Sequence, residues 1–172
     1  MRKPIVVAII VAIVGIAVFT YTQTNVLQIP VAPNQNNIPR ATTCDKSLWE
    51  HVYHPDRLQV IDPCITVSGV IEDFKAEKDG DSHIRLKLDS QYSDLINDVN
   101  VAFQHGDLVV EVICQNPVYQ EDAMQACQNY SNQVFVPPVE GTHVKVTGSY
   151  VLDKQHGDWA EIHPVTRIEV IE

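Results

Sequence analysis

Beyond residue 60 the chain alternates apolar and polar positions with a period of two, which predicts strands rather than helices. Ile65, Val67, Gly69 and Ile71 alternate with Thr66, Ser68 and Glu72 in a first strand, with Gly69 expected at a bulge or bend. Ile84, Leu86 and Leu88 alternate with His83, Arg85 and Lys87 in a second. The Lys78-Asp79-Gly80-Asp81 turn signature between them predicts a long hairpin. Leu108, Val110 and Val112 alternate with Val109, Glu111 and Ile113 in a third strand. Val144, Val146, Gly148, Tyr150 and Leu152 form the inward set of a fourth, and Ala160, Ile162, Ile168 and Val170 that of a fifth. Pro164 cannot donate a ladder hydrogen bond, so it predicts an edge or a bulge in the last strand. Residues 89–105 read as irregular, with one helical turn around Tyr92 to Ile96. Residues 121–130 lack Gly and Pro and predict a short helix between the third and fourth strands. Another short helix is expected over residues 45–53, ended by His54-Pro55.

The first forty residues follow different rules. After Arg2 and Lys3, residues 5–19 carry no charge, and with Thr20 and Tyr21 the span reaches about 25 Å as a helix, enough for a thin hydrocarbon core. The exit, Ala17-Val18-Phe19-Thr20-Tyr21, is bulky where a signal peptidase needs small residues. Residues 1–21 therefore predict an uncleaved signal anchor, a single transmembrane helix, with a removed signal peptide as the alternative. Positive charge before the span places the remainder outside the cytoplasm, so the expected location is the cell membrane with an extracytoplasmic C-terminal domain. Residues 22–43 hold three prolines, four asparagines and one charge, which predicts a tether. The globular domain is expected over 44–172.

Composition sharpens this picture. Twelve basic residues against 22 acidic give a net charge of -10, which argues against a nucleic-acid partner, since the phosphate backbone selects a basic surface. The four cysteines at 44, 64, 114 and 127 all follow the apolar span. An even number in an exported domain predicts two disulfides. Cys114 and Cys127 are close in sequence and flank a polar segment, which favours that pair and leaves Cys44 with Cys64; four reduced thiols are the alternative. Asn129-Tyr130-Ser131 is a glycosylation sequon.

Five strands, a helical insert between the third and fourth, and glycines within the first and fourth follow the order of an OB-fold: a mainly β, five-stranded barrel over about residues 60–171. The ending Asp153-Lys154-Gln155-His156-Gly157-Asp158-Trp159-Ala160-Glu161-Ile162-His163-Pro164-Val165 resembles that of small, uncharacterised OB-like exported proteins. These typically carry His-Gly-Trp-x-Glu-x-His-Pro-Val, and Asp158 is one residue inserted into that pattern. The resemblance implies a fold and no particular activity.

The same segment carries the candidate chemistry. Glu161 and His163 are two residues apart on a strand, so they share a face, about 6.6 Å apart along it and opposite to the core-facing Ile162. His156 precedes them in a turn, and His83 begins the second strand on its non-core face. His83, His156, Glu161 and His163 are the expected metal ligands, suited to zinc or another divalent transition metal. Asp153 and Trp159 are the expected ligand-binding neighbours, Trp159 by stacking a base or sugar or by covering an end of the barrel. The competing expectation is architectural: Glu161 bonding His163, or pairing with Arg85 or Lys87. His51 and His54 read as an exposed pair, His105 as a turn residue and His143 as a polar-face residue. No nucleophile elbow, P-loop or dinucleotide fingerprint occurs, so no catalytic residue is assigned. The leading expectation is a membrane-anchored binding module. An exported metal-dependent hydrolase of phosphodiesters, with Glu161 as general base, and an accessory subunit of a membrane complex are the alternatives.

Overall fold

The computed structural model describes residues 43–134, 136–137 and 139–171. The anchor expected at 1–21 and nearly all of the tether lie outside the described residues. Among those described, no helix is long and apolar enough to cross a membrane.

The fold is mainly β. Strands β1 (Leu58–Ala76), β2 (Ser82–Leu88), β3 (Leu108–Val112), β4 (His143–Asp153) and β5 (Trp159–Val170) close into a ring in the order β1-β2-β3-β5-β4. All neighbours are antiparallel except β3 and β5, which run parallel. The expected strands all form, and β1 extends well beyond its predicted stretch in both directions. The hairpin of β1 and β2 sets Lys75 opposite His83 and Asp73 opposite Arg85. Its irregularity falls between Ile71 and Asp73 rather than at Gly69. Gly69 instead serves close approach, because a Cβ there would lie 2.4 Å from the Lys87 carbonyl oxygen.

Pro164 sits at a bulge. Between the pairs Gly148↔Val165 and Tyr150↔Ile162, β5 spends two residues, His163 and Pro164, where β4 spends one. A Cβ on Gly148 would come 2.4 Å from Ile162 Cγ2 and 2.5 Å from the Pro164 carbonyl oxygen, so the bulge packs directly against this glycine.

The helical elements agree with expectation only in part: Lys46–His51 and Ser90–Leu95 form as short 3-10 turns near the places expected. Between β3 and β4 the described residues hold a 3-10 turn, Glu121–Ala123, in place of the expected helix, in a loop closed by Cys114–Cys127. Cross-linking thirteen residues apart and packing Ala123 inward leave little room for a regular helix. Among the described residues the one α-helix, α1 (Asp98–Phe103), lies between β2 and β3, after the 3-10 turn Ser90–Leu95 that falls where a helical turn was expected. Asn97 caps it by accepting from the Val99 and Asn100 amides. Asn100 then braces α1 to the sheet: its Nδ2 donates to the Asp107 and Ala160 carbonyls, and its Oδ1 accepts from the Ala160 amide.

Two apolar clusters result. The inner one fills the ring with Ile65, Val67, Ile71, Ile84, Leu86, Leu108, Val110, Val112, Val144, Val146, Tyr150, Ile162 and Val165, among others. Its one large polar atom is satisfied, since the Tyr150 hydroxyl donates to the Leu95 carbonyl at 2.8 Å. The second cluster lies on the outside of the ring, where Leu48, Val52 and Leu58 pack on Ile113, Cys114 and Val151. The 3-10 turn Lys46–His51, capped by Asp45, forms this cover. Cys44–Cys64 ties it to β1, and His51 joins it to the second disulfide loop, stacking on Tyr130 and bonding the Ala126 carbonyl oxygen. His51 and His54 are therefore not an exposed pair: His51 is held in the cover, while His54 stacks on Tyr53 in a left-handed conformation.

Candidate functional site

The site lies on the outer faces of β2, β3 and β5, partly beneath the cover. Strand alternation directs His83, Glu111, Trp159, Glu161 and His163 away from the ring interior. Register then brings them side by side, with His83 opposite Glu111 and Val109 opposite Glu161. Glu161 and His163 share the face expected of them, but that face is closed off: Glu161 is 1% exposed and His163 is not exposed at all.

The expected site residues fall into one connected cluster with two ends. At one end Asp153 is fully buried at the close of β4. It accepts from the Gln155 and His156 amides and pairs with the Arg57 guanidinium and with His156 Nδ1. Burial raises its carboxyl, but His156, Arg57 and the amides outweigh that and hold it below the ordinary value. Trp159 stacks on His156 at 4.5 Å and meets His83 edge-on at 6.0 Å. Its indole donates to Glu161 Oε2 at 3.1 Å. Trp159 thus bridges His156, His83 and Glu161 within the cluster.

At the other end three neighbouring strands converge. His83 Nδ1 lies 2.7 Å from Glu111 Oε1. Glu77, just past β1 at the hairpin mouth, joins them, and one ligand atom from each of Glu77, His83 and Glu111 lies within 4.8 Å of the others. The expected set of His83, His156, Glu161 and His163 is not among the groups that meet this closely within the described residues. Of the four, His83 enters the Glu77–Glu111 group, His156 pairs with Asp153, and Glu161 faces His163 Nδ1 at 3.4 Å. The alternative pairing of Glu161 with Arg85 or Lys87 does not occur either: Arg85 bonds Asp107 and Asp73, and it is Arg57 that stands 3.9 Å from Glu161.

Electrostatically, this buried patch is under tension. Burial drives the Glu111 carboxyl up to about 7, helped by Glu161 and Glu77 and opposed by His83. Burial works against a charged His83, but the hydrogen bond and charge of Glu111, with Glu77 and Gln104, raise it to about 9. Burial also drives Asp81 up to about 8, opposed by His163 and by the Cys114 amide and reinforced by Asp79 and Glu111. Several buried atoms here have no hydrogen-bond partner: Glu111 Oε2, Glu161 Oε1 and both ring nitrogens of His163. Buried polar groups are ordinarily satisfied, so such a concentration in one patch is itself a signal.

Asp81 lies near both sulfurs of Cys114–Cys127, and its Oδ1 accepts from the Cys114 amide. With both cysteines in the disulfide, that group offers no thiolate ligands.

Sequence reasoning missed Glu77, Glu111, Asp81 and Arg57. Glu111 had a legible signal, an acid on the outward parity of a strand whose other residues are all apolar. Glu77 could be found by counting back from the hairpin turn. Arg57 precedes the predicted first strand and had no such signal. No protein-family profile matches the chain, and no curated protein matches it in sequence.

Proposed function

We propose that this chain is a membrane-anchored, extracytoplasmic OB-like binding module whose outer His/Glu face takes a small polar ligand or a metal ion. The strand order, with its single parallel pair of β3 and β5, supports the OB-like reading, as does the resemblance of the Asp153–Val165 segment. The two disulfides support an oxidising compartment, and the charged start followed by an apolar span supports the anchor. The observation that carries the ligand reading is the concentration of unpartnered buried atoms on Glu111, Glu161 and His163, beside partly open Glu77 and His83.

A hydrolase would need its substrate to reach Glu161, whose side chain is 1% exposed, so binding is favoured over catalysis. The accessory-subunit reading draws support from α1, where Val101 and Phe103 are 62% and 71% exposed.

The test is thermal. A ligand bound to the native state alone raises the melting temperature with concentration. Full-length protein in detergent is expected to melt several degrees higher with one of a panel of divalent cations and small anions. The same shift should shrink in His83→Ala. A panel that moves neither protein would count against the reading.

A further inference from the structure

Resting on that reading, we infer that the ligand of the outer face is a divalent first-row metal ion seated by Glu77, His83 and Glu111, one residue from each of β2 and β3 and one just past the end of β1. Three features of this corner support the assignment. The first is reach. Ligand atoms around an ion at about 2.1 Å stand about 3–4 Å apart, and one atom from each of these three residues already lies within 4.8 Å of the other two. Small side-chain rotations close the remaining gap. No strand has to move, because Lys75↔His83 and His83↔Glu111 are direct cross-strand pairs.

The second is an unmet bond. Glu111 is 6% exposed, its Oε1 is taken by His83, and its Oε2 is buried with no partner. A buried carboxylate oxygen without a donor is costly unless a cation or a donor meets it. The third is access. Glu77 is about one-third exposed at the hairpin mouth, and its neighbour there, the Lys75 ammonium, is itself largely in water. That pair holds Glu77 only weakly, so an arriving ion can displace Lys75. Burial therefore grades across the site, from Glu77 through His83 to Glu111, as expected of a seat entered from the mouth.

Two carboxylates and one imidazole favour a borderline or hard divalent ion such as Zn²⁺ or Mn²⁺ over a thiophilic one. Water would complete its coordination on the Glu77 side. Trp159, whose indole donates to Glu161, meets the His83 ring in a T-shaped contact at 6.0 Å beside this seat. His156 and His163 take no part: the first is held by Asp153, and the second faces Glu161.

Full-length protein in detergent, stripped with chelator and titrated calorimetrically with Zn²⁺ and separately with Mn²⁺, tests this. One ion per chain is expected. Glu111→Gln and Glu77→Gln should each weaken binding at least tenfold, more than His163→Leu does. Far-ultraviolet circular dichroism of each metal-free variant checks folding, and Glu77→Gln, at the rim, keeps the test open should Glu111→Gln fail to fold. One bound ion that survives both glutamine variants but is lost in His163→Leu would overturn this seat while leaving a metal-binding face intact. No bound ion in the wild type, alongside a melting shift with a small anion, would overturn the metal and leave the broader reading. Neither ion nor shift would remove both.

Discussion

The inside of the ring and its covered outer face are both buried, yet they are built on opposite principles. Inside, apolar side chains fill the space and the Tyr150 hydroxyl has its acceptor. Outside, four carboxylates, Asp81, Glu111, Asp153 and Glu161, are buried together with His163, and polar atoms of three of these residues are unmatched. Burial alone does not explain the second arrangement, because Val or Leu at these positions would fold more cheaply. The inner face is where stability resides; the outer face carries a cost that a ligand can repay.

Mutations can break or sharpen this contrast, and the largest effect should come from the inside. Ile162→Ala removes a fully buried side chain packed at the bulge and should cost about 2–5 kcal/mol in chemical denaturation. A loss under 1 kcal/mol would mean that the ring interior is not the stabilising core.

Asn100→Ala should follow. It strands the Asp107 carbonyl and both backbone groups of Ala160 that Asn100 now satisfies, at about 1–3 kcal/mol for a buried group left unpaired. Urea titration with a matched Asn100→Asp variant would show whether the loss is the hydrogen bonds or the side-chain volume.

The third probe is pH. Asp81, Glu111 and His83 each hold a proton more tightly folded than unfolded, near 8, 7 and 9 instead of 3.8, 4.5 and 6.5. Their contribution is complete below the unfolded values and is lost as pH rises through the folded ones. Metal-free protein should thus lose stability steadily between about pH 4 and 9. Asp81→Asn should flatten the part of that slope below about pH 8. Asp153, Asp89 and Asp45, held below their ordinary value, act the other way and withdraw their contribution only as pH falls below about 4. A denaturation midpoint that rises from pH 5 to pH 9 would contradict the assignment.

The smallest effect should come from His163→Leu. The ring is fully buried, and neither nitrogen has a hydrogen-bond partner, so an apolar replacement should change stability by less than about 1 kcal/mol. A loss comparable to that of Ile162→Ala would mean that both faces work alike.

Much of the inner face was legible in sequence, because period-two alternation encodes which side of a strand meets a core. All five strands and the inward set Ile84, Leu86, Val146, Tyr150 and Ile162 follow from it. Both disulfides followed the favoured pairing. The shared face of Glu161 and His163 was equally readable, but its burial was not, since alternation says nothing of what packs on the outside. The one clue was β3: Leu108 to Ile113 is apolar on both parities except at Glu111, as befits a strand covered on two faces. Helices were the weakest part, because α1 is six residues held by Asn97 and Asn100 rather than by an apolar stripe. The ligand set stayed hidden for a topological reason. Glu77, His83 and Glu111 are spread over 35 positions and meet only once β1, β2 and β3 are in register.

The most direct test is anomalous diffraction from crystals of the protein grown with Zn²⁺, measured on both sides of the zinc edge. A single strong peak is expected about 2.0–2.2 Å from an oxygen of Glu77, a nitrogen of His83 and an oxygen of Glu111. An empty map at that corner, or a peak instead between Glu161 and His163, would contradict it.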